Sequence, residues 1–291
     1  MSSPAFDVIV CGSLHLDIMV YAPGLPRLDE TTVGTRWAMQ CGGKGGNQAV
    51  MAARAGARVA MIGRVGADDF GDRLRAHLTA RGVDARAVGV DATAGSGMST
   101  AIVRDDGEYG AVIVSGANLR IDPASIEDRW RASGGASVLV LQNEIPEAVN
   151  IAAASVARES GAKVILNAAP ARQMTSQLID LVDILVVNRV EAEMLSGLIV
   201  NDNASALAAL PRLGAGRRDI VATLGGAGLV VQPRGADAKA IAPIPVRVVS
   251  THGAGDCFVG ALARWLAAGA DLMAAAADAN QAAAAHVSGN A

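Results

Sequence analysis

The sequence predicts an α/β fold: a mostly parallel central sheet flanked by helices, with a small antiparallel sheet beside it. Three observations carry this. Short β-branched runs alternate with longer stretches of helical period. Glycine-rich turns or helix starts follow directly on the apolar runs. Two segments, residues 18–39 and 98–115, break the rhythm with strand and turn patterns and no intervening helix.

Taken in order, strands are expected over residues 7–11, 58–62, 138–141, 163–166, 184–187 and 220–223. Helices are expected over 47–55, 70–80, 123–130, 146–158 and 204–213. Phe70, Leu74 and Leu78 fall on one face of the second helix. Pro123 and Pro146 suit first-turn positions, where a missing N–H costs nothing. Residues 99–104, the turn Asp105-Asp106-Gly107 and residues 109–114 read as a hairpin. This insert, at about 15–40 and 95–117, is placed as a lid on one domain spanning 1–291, because no repeat or low-complexity linker divides the chain.

Composition removes several functions. The 291 residues are 51% hydrophobic, enough for a sizeable core, but only 3% aromatic, so that core must be aliphatic and a base-stacking platform is disfavoured. The net charge is −3 with no block of like charge, which argues against phosphate-backbone binding to nucleic acid. Cys11, Cys41 and Cys257 form no C-x-x-C pair, which speaks against structural zinc and disulfides and for a reducing compartment. Residues 1–7 lack a basic n-region, and the Ala-rich tract 261–287 is interrupted by Arg264, Asp271 and Asp278. A cytoplasmic protein with no membrane partner is expected.

Four stretches bear chemistry. In Thr251-His252-Gly253-Ala254-Gly255-Asp256, an apolar strand pattern ends in a glycine-rich turn and Asp256 opens a helix. Free helix-start N–H groups make an anion site, and a carboxylate stands beside it. The same residues would also serve a plain turn with a capping Asp. In Cys41-Gly42-Gly43-Lys44-Gly45-Gly46-Asn47, four glycines surround one of three lysines in the chain. The spacing is not that of a phosphate-binding Walker loop. Either a hydroxyl-rich ligand or close helix–strand packing would account for it. Asp17 lies just past the first strand, where ligands of open parallel sheets collect and where a carboxylate can accept from two hydroxyls. Asn188-Arg189-Val190-Glu191 and Thr223-Leu224-Gly225-Gly226-Ala227-Gly228 follow two further strands. Glu191 could orient water around Mg²⁺ or simply favour a helix N-terminus.

In this order, the two glycine-rich signatures resemble the ribokinase-like carbohydrate kinases of the phosphofructokinase B family. Ser115-Gly116-Ala117-Asn118, Leu141-Gln142-Asn143-Glu144 and Leu166-Asn167-Ala168-Ala169-Pro170-Ala171-Arg172 agree with it. The resemblance covers nearly the whole chain. It implies a ribokinase-like three-layer fold and an ATP-dependent kinase that uses Mg²⁺ to phosphorylate a hydroxyl of a small sugar, a pentose or ketohexose. It further implies Asp256 as base and the amides of Gly253, Ala254 and Gly255 as anion hole. Asp17, Gly43, Lys44, Asn47, Glu144 and Asp256 match sugar-contacting positions. Asn188, Thr223, Gly225, Gly228, Gly255 and Asn280 match nucleotide-contacting ones, and Glu191 the residue that organises Mg²⁺ through water. The lid matches one that commonly pairs with a second subunit, implying a homodimer.

The sequence also departs from the family pattern. His15-Leu16-Asp17 stands where ribokinases commonly carry Asn-x-Asp, which leaves the acceptor open. Ser250 stands where potassium-activated members often carry Asp, so K⁺ remains an open cofactor. The last residues, 288–291, come where relatives usually continue into a further loop and helix, and a more open adenine pocket is expected. A nucleoside kinase on the same scaffold is the alternative, with Tyr21, Trp37, Met39, Met98 and Tyr109 as slot, lid core or dimer contact. A silent sugar sensor is a third reading, against which the intact Asp256 counts. The helix dipole predicts that Asp256 is held ionised.

Overall fold

A computed structural model describes residues 4–104, 108–214 and 216–289. Five β-branched runs form the parallel centre of the main sheet: β1 (Phe6–Cys11), β9 (Ala136–Gln142), β10 (Lys163–Asn167), β11 (Ile184–Asn188) and β12 (Asp219–Thr223). Beyond β1 the sheet continues in parallel through β4 (Val59–Gly66), β5 (Val83–Asp84) and β6 (Val88–Asp91). Beyond β12 it turns antiparallel through β13 (Leu229–Gln232) and the edge strand β14 (Lys239–Ile241), two strands the sequence did not announce. The order is β14-β13-β12-β11-β10-β9-β1-β4-β5, with β6 also on β4.

Alternation along the strands sends side chains to two separate cores. One holds Ile9, Leu139, Leu141, Leu166 and Val187, covered by α3 (Ile126–Ser133), α4 (Glu147–Glu159), α6 (Arg189–Ser196) and α7 (Asn203–Leu213). The other holds Val8, Val10, Val140, Ile165 and Val186, covered by α1 (Lys44–Arg54), α2 (Asp69–Ala80), α8 (Ala254–Ala267) and α9 (Leu272–Val287). A short α5 (Ser176–Ile179) follows β10. This is the expected three-layer arrangement, and its cores are indeed mainly aliphatic. No helix among the described residues is long and apolar enough to cross a membrane.

The second sheet consists of β2 (His15–Tyr21), β3 (Arg36–Gly42), β7 (Gly97–Val103) and β8 (Tyr109–Val114), in the order β3-β2-β7-β8. It is not wholly antiparallel. β2 pairs antiparallel with β3 and β7 with β8, but β2 and β7, which join the two excursions, run parallel. The expected turn Asp105-Asp106-Gly107 lies outside the described residues. Trp37 and Met39 are exposed, at 66% and 37%, so they are not a core of this sheet.

Two helix starts differ from expectation. α1 begins at Lys44 rather than Asn47, because Gly45 and Gly46 belong to its first turn and pack directly on the chain after β1. A Cβ on Gly45 would lie 2.6 Å from Ser13 N, and one on Gly46 2.9 Å from Leu14 Cδ2. Pro146 caps α4 from outside, with φ −58° and ψ 139°. Pro123 does open a 3₁₀ turn ahead of α3.

Candidate active site

The parallel strands end on one side, and their carboxyl ends deliver Gly12-Ser13, Gln142-Asn143-Glu144, Asn167 and Asn188 to a common crevice. α8 points its N-terminus into it. Gly253 caps this helix with φ 74°, a left-handed conformation suited to glycine, and no side chain caps it. Of the first amides, Ala254 N–H leans on Thr251 O at 3.3 Å. The helix start therefore offers backbone donors and the positive end of a four-turn dipole to an anion.

A cleft of about 570 Å³, counting its open mouth, lies in front of this helix start. Eight of the expected residues line it: Lys44, Asn188, Glu191, Thr223, Gly253, Ala254, Gly255 and Asp256. Asn167 and Thr251 line it too. Asn47 joins from α1, donating Nδ2 to Asp256 Oδ2 at 3.0 Å.

Asp256 is only 9% exposed. Gln48 Nε2 donates to its Oδ1 at 3.0 Å. Burial pushes the carboxyl above its ordinary value, and Glu144 adds to this. The Lys44 charge and the Asn47 and Gln48 bonds only partly offset the rise. The helix dipole, which favours the ionised carboxyl, is thus opposed by loss of water, which favours the protonated one.

Glu191 and Asn188 form a reciprocal cap at the start of α6. Glu191 N–H donates to Asn188 Oδ1 at 2.9 Å, while Asn188 N–H and Nδ2 donate to the two Glu191 oxygens at 2.8 and 2.9 Å. Both readings of Glu191 therefore meet in one side chain: it closes a capping box and faces the cleft. Burial raises its carboxyl, with the Asp256 charge acting the same way and Lys44 opposing. Each carboxylate oxygen keeps a lone pair beyond its amide bond. Oxygen donors with free lone pairs would suit Mg²⁺ held through water.

The acceptor-side residues gather at the root of the lid. Glu144 Oε2 accepts from Lys44 N–H at 2.9 Å and from Ser13 Oγ, and so caps α1 from a distant loop. Asp17, in β2 opposite Ser99 of β7, accepts from the Ser99 hydroxyl. Gly43 has φ 83°, and a Cβ there would press on the backbone of Leu14 and His15. His15 is 5% exposed, between Asn118 Nδ2 at 3.3 Å and Glu144 Oε2 at 3.9 Å.

Three of the residues expected on the nucleotide side, Gly225, Gly228 and Asn280, do not line this cleft. Gly225 and Gly228 belong to the turn between β12 and β13. Gly228, at φ 88°, fits closely under β14, where a Cβ would overlap Ile241 O. Asn280 on α9 donates Nδ2 to Ala242 O at 3.1 Å, fastening the segment after β14. Sequence reasoning gave no role to Gln48, which directly follows the lysine-glycine signature. A polar glutamine in a helix of small, mostly apolar residues was the available signal.

A buried carboxylate beside a capless helix start, facing a polar cleft at the strand ends of a three-layer α/β fold, defines a protein that handles an anionic group next to a second ligand. Comparison with known proteins agrees. The family model described as "pfkB family carbohydrate kinase" matches residues 5–290. The chain is 36% identical to Mus musculus ribokinase over 266 residues, covering 90% of this chain and 82% of the relative. It is 31% identical to Salmonella typhi deoxyribokinase over 272 residues, covering 92% and 88%. The structure of Arabidopsis thaliana ribokinase complexed with ribose and ATP superposes with a TM-score of 0.90 at 28% identity, covering 98% of this chain and 93% of the other. The chain belongs to the pfkB family of carbohydrate kinases, enzymes that phosphorylate a sugar hydroxyl.

Proposed function

We propose that this enzyme transfers the γ-phosphate of ATP to a hydroxyl of a small sugar, most closely a pentose such as ribose. The observation that carries the reading is Asp256: a buried carboxylate in the first turn of α8, beside the helix-start amides, with Asn47 bonded to its Oδ2. The relatives named ribokinase and deoxyribokinase support a pentose over a ketohexose.

In the derived mechanism, Asp17, Gly43, Lys44, Asn47 and Glu144 hold the sugar under the lid. Asp256 accepts a hydrogen bond from the reacting hydroxyl and takes its proton as the oxygen meets phosphorus. The amides of Gly253, Ala254 and Gly255 and the Lys44 ammonium face the charge on the transferring group. A loose phosphoryl transfer requires mostly such positioning and charge stabilisation. Asn188, Thr223, Gly225, Gly228, Gly255 and Asn280 are proposed on the nucleotide side. Of these, Asn188, Thr223 and Gly255 line the cleft, and Asn280 acts by fixing the segment after β14. Mg²⁺, when bound, would neutralise phosphate charge, and Glu191 would orient its water.

Two further readings belong here. The exposed apolar face of Trp37, Met39, Val112 and Val114 on the lid supports a homodimer through that sheet. The three cysteines are free, which supports a reducing, cytoplasmic setting. An ADP-release assay over ribose, deoxyribose, other pentoses, fructose and nucleosides, with and without K⁺, tests the function. Turnover on a pentose is expected, and turnover on nucleosides alone would overturn the choice.

A further inference from the structure

Behind Asp256 lies a chain of buried amides whose hydrogen bonds admit one orientation. Gln48 is fully buried, and its Nε2 faces two acceptors, Asp256 Oδ1 at 3.0 Å and Asn167 Oδ1 at 3.1 Å. Its oxygen must therefore point away, and there it accepts from Gln142 Nε2 at 2.8 Å. Gln142 is also fully buried. It sits in β9 opposite Asn167 of β10, and its carbonyl accepts from Asn150 Nδ2 at 2.8 Å. The Gln142 Oε1 has no hydrogen-bond partner among the described residues and lies against Gly12, where a Cβ would overlap it. Turning either amide would set donor against donor or acceptor against acceptor between fully buried side chains.

The geometry points to Gln48 and Gln142 as a positioning relay that keeps Asp256 Oδ1 an acceptor and directs the substrate's proton to Oδ2. A hydrogen on Oδ1 would face the Gln48 NH₂, which can turn only if Gln142 and Asn167 turn with it. On the other oxygen, the one side-chain bond that Asn47 makes among the described residues is to Oδ2, so its amide is free to turn and accept. In the transfer, the hydroxyl O–H bond breaks and its proton goes to Oδ2. The oxygen's electron pair forms the new P–O bond, and the bridging oxygen leaves with ADP. The charged groups that face Asp256 are Lys44 on α1, Glu144 after β9 and Glu191 on α6.

The inference rests on the proposed function for its kinetic readout alone, so it is tested first without substrate. In the unmodified protein, carbon-13 and nitrogen-15 NMR follow the Asp256 carboxyl, assigned by its loss in Asp256→Asn, together with the Gln48 and Gln142 NH₂ groups. The amide resonances are expected to move with the carboxyl titration. Amides that ignore it overturn the relay. Gln142→Met, which never touches Asp256, and Gly12→Ala, which displaces the Gln142 amide, should both move the carboxyl titration to higher pH. With a sugar acceptor, the acid limb of the kcat profile should move up by about one pH unit in each, so that kcat falls up to about tenfold on that limb, the loss of roughly one hydrogen bond. That loss should recover as pH rises, with KM for both substrates within about twofold of the parent. A uniform loss at every pH, or an unmoved carboxyl in a folded variant, contradicts the proposal. A moved carboxyl in a protein without sugar kinase activity would leave the relay standing and sink the function instead.

Discussion

Gly42 lies so close to Asp17 that a methyl group there would overlap the Asp17 Oδ2, while Ser99 holds the other oxygen. A glycine at the end of one lid strand thus shapes the carboxylate of its neighbour. Gly42→Ala is expected to raise the sugar KM about tenfold or more, because a small misplacement of a positioning group is costly. The ATP KM should stay near the parent value. Steady-state kinetics with each substrate varied would reveal this split, and equal effects on both would count against Asp17 as a sugar contact.

The buried Asp256 sets a trade between activity and stability. Its folded pKa is raised, so between its ordinary value and the folded one the native state holds a proton that the unfolded chain has released. Stability therefore falls as pH rises through that window. Asp256→Asn cannot titrate. Denaturant unfolding should show the variant gaining on the parent as pH climbs from below 4 to 7. A gap that does not change with pH would show that the burial cost is absent.

Glu191→Gln removes the carboxylate that closes the α6 cap and faces the cleft. Glutamine can still close the capping box through its amide oxygen, so the helix should lose little stability. The Mg²⁺ concentration needed for half-maximal turnover should rise by roughly 10-fold or more, as for other outer-shell partners of a metal. A magnesium titration at saturating sugar separates these effects, and an unchanged requirement would confine Glu191 to its capping role.

Trp37→Glu places a charge on the exposed lid face. Sedimentation should show a homodimer becoming monomeric at micromolar concentration. A parent already monomeric in solution would remove the lid interface from the account.

Much of this was legible in one sequence. Six β-branched runs marked the parallel strands, because buried strands with both faces covered read as continuous apolar segments. β13 and β14 were missed: four and three residues after a glycine turn leave almost no periodic signal. α1 began earlier than expected, since Gly45 and Gly46 read as loop until Ser13 and Leu14 come up against them. At the site, the two glycine-rich signatures identified the cleft. The direction of the Asp256 shift was not visible, because it arises from burial between elements over 200 positions apart, as does its bond to Gln48. Gly225, Gly228 and Asn280 matched by position but do not line the cleft in front of α8, and Gly228 and Asn280 instead pack against the segment at and after β14.

The most direct measurement is single-turnover phosphorylation of ribose by the parent and by Asp256→Asn, with circular dichroism confirming the fold of both. The account predicts a chemical step slowed by about 10²–10⁴-fold in the variant, the usual contribution of a positioned base. A correctly folded Asp256→Asn that phosphorylates ribose at near the parent rate would contradict it.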